Sequence, residues 1–587
     1  MIKKNKNRLQ WLLNPNWHGI YQNTPVLLLA LFIGVLGGYG AVFFRFIIKS
    51  VQFAFYQHSV DFLEFEQLIP WYMIVGVPAL GGLIVGVLVR LGAREAKGHG
   101  VPEVMEAVAL KDGYIRKRVA VVKILASAIS IGSGGSVGRE GPIVQIGSSI
   151  GSTVGQWFKV PRRHQKTLVG CGAAAGIAAT FNAPIAGVLF SLEILLGEFG
   201  VSAFSPVVIS SVMATTISRH YFGDFPAFII PAHEIHSLWE FLIYPFLGLL
   251  CGLVSVIFVY ILYKSEDFFD DYLKIPDFIK PAMGGFLVGL ILLQLPHVFG
   301  VGYGGINMAL INQLPAFMLL ALCIAKILAT SITIGSGGSG GVFAPSLFIG
   351  AMTGGFFGSC AGMIFPNIVA NPGTYALVAM GALVAGTTHA PITAVLIIFE
   401  LTGDYKIILP LMVCCIISTL LAISIKRGSI YSIKLKRRGV DLSGGMEQGI
   451  LQQLKVKDHM SSQLSTINEG AALDRIMEMF KKNNASYLHM VDANGHLNGI
   501  ISFRDIRPIL DEEMPPALII ARDIATLEVK TITPEDTIQS ALRLMSGKGI
   551  SQLPVIKDRE SRILVGCLRE KNVISAYDNE ILQREMQ

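Results

Sequence analysis

The chain has 587 residues, 52% of them hydrophobic and only 15% charged, and its 48 Lys and Arg against 41 Asp and Glu leave a net charge of +7. A soluble globular chain carries about 25% charged residues, so this composition, with a mean hydropathy of +0.56, excludes a protein that is soluble throughout. The excess positive charge lies at the flanks of the apolar region and needs no nucleic acid to explain it, and no nucleophile–base pair or metal-ligand spacing points to an enzyme.

The start, MIKKNKNRLQ, is basic, and its first long apolar run comes only after Pro25, which is not the pattern of a secretory signal. Residues 1–25 read as a cytoplasmic segment. Membrane segments are predicted near 26–49, 71–91, 119–131, 142–157, 168–195, 201–218, 240–264, 281–297, 316–334, 345–366, 374–399 and 407–425. Several are shorter than the roughly 20 residues that span a bilayer upright, and they lie beside glycine breaks, which predicts half-helices and re-entrant segments. The result is an all-α polytopic membrane domain over 26–435, with halves at roughly 26–218 and 240–425. A linker over 436–455 and a soluble α/β domain follow. Lys3, Lys4, Lys6 and Arg8 before the first run, and Lys426, Arg427, Lys434, Lys436, Arg437 and Arg438 after the last, place both termini in the cytoplasm. That requires an even number of full crossings, in what is expected to be a bacterial inner membrane. The seven cysteines sit in apolar surroundings without metal spacing and read as buried small hydrophobes.

The membrane region repeats. Gly132-Ser-Gly-Gly-Ser-Val-Gly-Arg-Glu-Gly-Pro142 returns as Gly335-Ser-Gly-Gly-Ser-Gly-Gly-Val-Phe-Ala-Pro345, an offset of 335 − 132 = 203. Lys123-Ile-Leu-Ala matches Lys326-Ile-Leu-Ala at the same offset, and Gly147, Gly151 and Gly155 match Gly350, Gly354 and Gly358. Glycine at every fourth position bares one helix face for close approach by another helix. Asn182-Ala-Pro-Ile matches His389-Ala-Pro-Ile, and Glu193 matches Glu400, now at an offset of 207; the two acids read as structural caps on neighbouring helix ends.

In hydrocarbon, backbone outside a helix is tolerated only where it is buried in protein or lines a cavity. Paired broken helices in two halves therefore point to a transport site. Three segments have this form: Gly98-His-Gly-Val-Pro102, Gly138-Arg-Glu-Gly-Pro142 and Gly341-Val-Phe-Ala-Pro345. Proline in a first helical turn costs little, and the remaining free N–H groups together with the helix dipole make an anion site. Such a site suits a small monovalent anion that must also leave. One copy carries Glu140 where the other has Phe343 (140 + 203 = 343).

These segments, with Tyr431 just past the last helix, resemble the CLC family of chloride channels and transporters. The family's signatures are GSGIP, GREGP, GxFxP and a late tyrosine, matched here in order over roughly 25–435. The resemblance implies an inverted-repeat membrane fold and a homodimer with one pathway per subunit. It also implies a chloride held by amides near Val342 and Phe343, by His99 with Gly100 beside it, and by the Tyr431 hydroxyl. Glu140 then has a physical role: its carboxylate is itself an anion at a helix start, so it can block the site, and protonation releases it. The structural alternative is a cap on the helix start or a pair with Arg139. Lys123 matches a lysine near the family's anion path and reads as an attractor of anions, against snorkelling to the interface.

Two positions depart from the family. His99 stands where Ser is usual, and either donates to the anion or turns aside into a polar pocket. Ile194, after Phe181-Asn-Ala-Pro-Ile-Ala-Gly-Val-Leu-Phe-Ser-Leu-Glu193, stands where exchangers usually place an inner proton-accepting Glu. Isoleucine carries no proton, which points to a passive chloride channel. The alternative is a chloride/proton antiporter that passes protons by a non-standard inner route. A third reading, a regulated cation transporter, lacks the acidic oxygen ligands it needs.

The tail repeats too, and resembles a tandem pair of CBS domains at 456–515 and 522–576. Leu473-Asp-Arg-Ile-Met-Glu-Met-Phe480 aligns with Ile538-Gln-Ser-Ala-Leu-Arg-Leu-Met545, and Gly499-Ile-Ile-Ser-Phe-Arg-Asp505 with Gly566-Cys-Leu-Arg-Glu-Lys-Asn572. The resemblance implies an adenine nucleotide at Ser502 and Asp505, while Arg569 and Asn572 replace that hydroxyl and acid in the second copy. No cofactor is required for transport itself. One such unit is too small to bury a secure core, so the two are expected to pack together.

Overall fold

A computed structural model of the chain describes residues 18–197, 199–224, 238–369, 371–440, 451, 454–483, 485–510 and 519–586. The basic N-terminal residues and most of the expected linker lie outside them. The chain divides into two compact units, Met1–Asp441 and Leu442–Gln587.

The first unit is helical. Its first half contains α1 (His18–Tyr56), α2 (Trp71–Leu91), α3 (Val101–Leu110), α4 (Arg118–Gly132), α5 (Glu140–Trp157), α6 (Arg162–Phe181), α7 (Pro184–Phe190, continued by a π-helical turn over Ser191–Leu196) and α8 (Val201–Phe222). The second half contains α9 (Tyr244–Asp267), α10 (Lys280–Gln294), α11 (Tyr303–Leu310), α12 (Ala316–Gly335), α13 (Phe343–Ile364), α14 (Pro372–Thr388), α15 (Pro391–Thr402) and α16 (Ile408–Ile425), and is followed by α17 (Ser432–Arg437). Among the described residues, seven helices are long and apolar enough to cross a membrane, and three apolar helices are shorter.

Two predicted segments are each two helices. The run 168–195 breaks at Asn182 (φ 60°) and the run 374–399 at His389 (φ 58°). Each break has a left-handed cap, then an extended alanine (Ala183, Ala390), then proline at the next helix start. The residue before proline is pushed out of the helical region, and a left-handed cap ends the helix before it. The short helices α3 and α11 carry too few residues for a membrane pattern and were not among the predicted segments.

The relation between the halves is visible in α2 and α10, which are equivalent under the repeat. A Cβ on Gly82 would overlap the Pro281 carbonyl, and one on Gly285 (82 + 203) would overlap the Pro78 carbonyl. Further along, Gly86 faces Phe278 and Gly289 faces Val75. As the number rises on one helix it falls on the other, so these equivalent helices run antiparallel and the halves are inverted. The two acids seal the same relation. Glu193 accepts from Thr393 N (2.7 Å) and Thr393 Oγ1 (2.6 Å) at the start of α15. Glu400 accepts from Ile185 N (2.9 Å) and Ala186 N (2.6 Å) at the start of α7. Each half thus caps a helix of the other, where the orphan N–H groups and the dipole favour a carboxylate.

The predicted glycine stripes lie between α5 and α6 and between α13 and α14. A Cβ would overlap the Leu168 carbonyl at Gly151 and the Tyr375 carbonyl at Gly354, whereas Gly362 faces open space. Gly151→Ala is therefore expected to cost about 1–3 kcal/mol by overpacking. Thermal unfolding in detergent checks this, with Gly362→Ala as the control; equal melting temperatures for the two would refute it. The seven cysteines are all free, six of them buried, while Cys360 is half-buried rather than buried as expected.

The second unit contains α18 (Val456–His459), β1 (Thr466–Asn468), α19 (Leu473–Asn483), β2 (Tyr487–Val491), β3 (Leu497–Ser502), α20 (Phe503–Leu510), α21 (Ala521–Ile524), α22 (Ile538–Lys548), β4 (Gln552–Ile556), β5 (Leu564–Arg569) and α23 (Glu570–Met586). β1 pairs parallel with β2, which pairs antiparallel with β3; β4 pairs antiparallel with β5. The two repeats complete each other. Val456 of α18 is buried with Ile532, Ile538 and Val555 of the second repeat, and Ala521 and Ile524 of α21 are buried with Ile467, Leu488 and Ile501 of the first.

Candidate functional site

The three broken-helix segments meet in one place, held by backbone hydrogen bonds. Gly98 N donates to Gly338 O (3.0 Å) and Gly340 N to Gly98 O (3.3 Å), joining the first segment to the third. Gly138 N donates to Gly341 O (2.7 Å) and Gly341 N to Gly138 O (2.6 Å), joining the second to the third. Gly138 and Gly341 are equivalent (138 + 203 = 341), so this reciprocal pair lies on the local two-fold relation between the halves. Three helix starts converge here: α3 after Gly100, α5 after Arg139 and α13 after Val342. The first N–H groups of a helix have no partner inside it. Proline follows at Pro102, Pro142 and Pro345, so the N–H groups that remain are those of the residues just before. Gly100 requires glycine: its φ is 84°, and Gln145 Oε1 and Lys123 Cε crowd the Cβ position at 2.8 and 3.3 Å.

Val342, Phe343, His99, Glu140 and Tyr431 are all buried. The His99 and Tyr431 rings are 5.8 Å apart, and His99 Nδ1 has no hydrogen-bond partner. The Phe343 ring packs on Phe181 at 5.7 Å and Phe190 at 6.3 Å. No ion pair joins Glu140 to Arg139 among the described residues. Instead Glu140 Oε1 accepts from Tyr303 Oη at 3.1 Å, and Oε2 lies by the Ala344 N–H at the start of α13 without a hydrogen bond. A carboxylate thus sits against a helix start.

Lys123 does not snorkel. Its ammonium is buried and donates to Ala96 O (3.1 Å) and Gly98 O (2.7 Å). Lys326 does the same for Val298 O (3.1 Å) and Gly300 O (2.9 Å). Each lysine pins a Gly-x-Gly turn, so the contact is common to both halves and not special to Lys123.

The turn pinned by Lys326 is a repeat copy that the sequence reading missed. Gly300-Val-Gly302 corresponds to Gly98-His-Gly100 at an offset of 202, with Gly302 at φ 86° starting α11. The signal was present as a second Gly-x-Gly, but the residues around it differ. Tyr303, which reaches Glu140, was missed with it. Lys434, one of the basic residues after the last membrane helix, lies beside Gly98 and 3.6 Å from Glu103. Arg438 lies 3.0 Å from the same Glu103.

The chain matches the family model described as voltage gated chloride channel over residues 81–422. It belongs to the CLC family. It is 33% identical to the voltage-gated ClC-type chloride channel ClcB of Salmonella typhimurium over 413 residues, which are 69% of this chain and 97% of that protein. It is 34% identical to the H(+)/Cl(-) exchange transporter ClcA of Vibrio parahaemolyticus over 431 residues, 71% of this chain and 90% of that protein. The structure of a slow cyanobacterial Cl-/H+ antiporter superposes with a TM-score of 0.64 at 28% identity, covering 70% of this chain and 97% of that one. The soluble unit matches the CBS domain twice, over 456–512 and 521–579.

In this CLC chain Ile194 is buried within the π-helical turn after α7, and its neighbour Glu193 is committed to capping α15. In the CBS pair, Ser502 N and Oγ donate to Asp505 Oδ2 at 2.7 and 2.8 Å. The two residues cap the start of α20.

Proposed function

We propose that this CLC chain conducts chloride passively, with Glu140 as its gate. Ile194 carries the reading on transport mode. The position offers no acid, and the neighbouring Glu193 already satisfies the α15 helix start, so no carboxylate on this turn is available to hand protons on. The gate rests on electrostatics. A charged Glu140 takes the place an anion would take among the helix starts, and a protonated one has no claim on it. His99 lends the site a ring donor in place of a hydroxyl.

A proton-coupled second reading has its own support. His99 Nδ1, just before the start of α3, and Glu103 Oε2, in its first turn, are both buried without a hydrogen-bond partner, four residues apart in the chain. They are the groups through which a non-standard inner proton route would pass. Proteoliposomes under a chloride gradient separate the readings. A channel dissipates the gradient with no proton movement above that of empty vesicles, and its reversal potential ignores a pH gradient. Proton movement in fixed ratio to chloride would overturn the passive reading, and Glu103→Gln should then uncouple it.

A further inference from the structure

Glu140 has no acid as its counterpart in the other half, where Phe343 stands, and the structure places a second difference directly upon it. Tyr303 Oη donates to Glu140 Oε1 at 3.1 Å. The counterpart of Tyr303 in the first half is Val101 (303 − 202 = 101), which has no donor, and the counterpart of Glu140 is Phe343, which has no carboxylate. Donor and acceptor are therefore present as a pair in one half-site and absent as a pair from the other.

Tyr303 is also held firmly. It is the first residue of α11, after the left-handed Gly302. The turn before it is pinned by Lys326, and a Cβ at Gly302 would meet the Phe348 ring at 2.8 Å. The Arg139 guanidinium lies 5.2 Å from the Tyr303 ring centroid, a distance at which a cation attracts the ring face. The hydroxyl is thus a donor placed in advance by rigid neighbours.

We propose that Tyr303 is a positioning residue of the gate, whose hydroxyl latches the charged Glu140 carboxylate in the blocking position. This inference rests on the reading of Glu140 as gate. A hydrogen bond from a neutral donor to a charged acceptor is stronger than one to a neutral acceptor. The latch therefore holds while the carboxylate is charged and loosens when a proton arrives. The other charged or titratable groups facing Glu140 are Arg139 beside it in sequence, Lys326 of α12 and Tyr431 at the start of α17; Arg45 of α1 faces Arg139 and Tyr303.

The experiment is chloride flux from proteoliposomes of the full-length chain as a function of pH, for wild type, Tyr303→Phe, Glu140→Ala and the double variant. Tyr303→Phe keeps the ring and removes the donor. The charged gate loses a hydrogen bond, so protonation releases it at lower proton concentration. The midpoint of acid activation should move up by about one pH unit, a tenfold change in proton concentration. On the Glu140→Ala background the same substitution should do nothing. An unshifted Tyr303→Phe midpoint, with Glu140→Ala still pH-independent, overturns the latch and spares the gate. A pH-dependent Glu140→Ala overturns the gate itself. If Tyr303→Phe fails to fold, 3-fluorotyrosine at 303 is the substitute: a stronger donor should move the midpoint down, and an upward or absent shift refutes the proposal.

Discussion

Glu140→Ala is expected to transport chloride at a rate that no longer depends on pH. The wild-type carboxylate lies against the start of α13, by the Ala344 N–H, and within hydrogen-bond reach of Tyr303. While charged, it competes with chloride for the same unsatisfied N–H groups, and only protonation removes that competition. Alanine has neither charge nor reach. At alkaline pH, once the wild-type gate is charged, the variant should pass chloride on the order of ten times faster, which corresponds to about 1.4 kcal/mol of blocking energy removed. At acid pH the two should converge. Flux assays across a pH series check this, and a variant that keeps the wild-type pH profile would sink the gate assignment. Glu140→Gln, a neutral isostere, should behave as a permanently protonated gate.

The second large effect concerns the buried lysines. Lys123→Met removes an ammonium that satisfies the carbonyls of Ala96 and Gly98. Each carbonyl keeps a second donor, Ser339 Oγ for Ala96 O (2.7 Å) and Gly340 N for Gly98 O (3.3 Å), so the loss is that of the two hydrogen bonds themselves, about 0.5–1.5 kcal/mol each. The Gly98–Gly100 turn, which sets His99 and the start of α3, should loosen. Lys326→Met removes the equivalent contacts to Val298 and Gly300, but the turn it pins carries Val301 where the first half carries His99. Both variants should lose similar thermal stability. Lys123→Met alone should also lower chloride flux, by about tenfold if one positive charge beside the anion is worth a pH-unit equivalent of energy. Equal flux losses in the two variants would mean that Lys123 acts only as a pin. Lys326 also faces Glu140 and pins the turn before Tyr303, so the two variants are compared at acid pH, where the gate is protonated and that turn no longer bears on it.

The parts of the site that depend on backbone were legible in the residue order. Clustered glycines followed by proline break a helix, although single prolines such as Pro78 and Pro206 do not, and a break in an apolar run must be buried in protein or line a cavity. The three segments around Gly98, Gly138 and Gly341 were therefore identifiable, and they do converge. Glu193 and Glu400 were recognisable as caps because acids recur at the same distance after equivalent breaks (193 − 182 = 400 − 389 = 11). What they cap was not: each crosses about 200 residues to a helix of the other half. Tyr303 stayed hidden for a similar reason. Its contact with Glu140 spans 163 residues, and nothing local to α11 marks a tyrosine as a donor to a distant acid. The merged segments at 168–195 and 374–399 were misread because hydropathy counts residues and ignores the left-handed φ at Asn182 and His389.

The residue order by itself determined that the membrane region is duplicated, that its helices break at glycine, and that only one copy of the break carries a carboxylate. These are properties of local chemistry, set by residues a few positions apart. Only the tertiary structure decided that equivalent helices meet antiparallel, that Lys123 is buried against two carbonyls and not snorkelled, and that Glu140 turns from Arg139 to Tyr303. Those outcomes depend on which distant backbone and side-chain groups are brought together in a medium that cannot satisfy them otherwise.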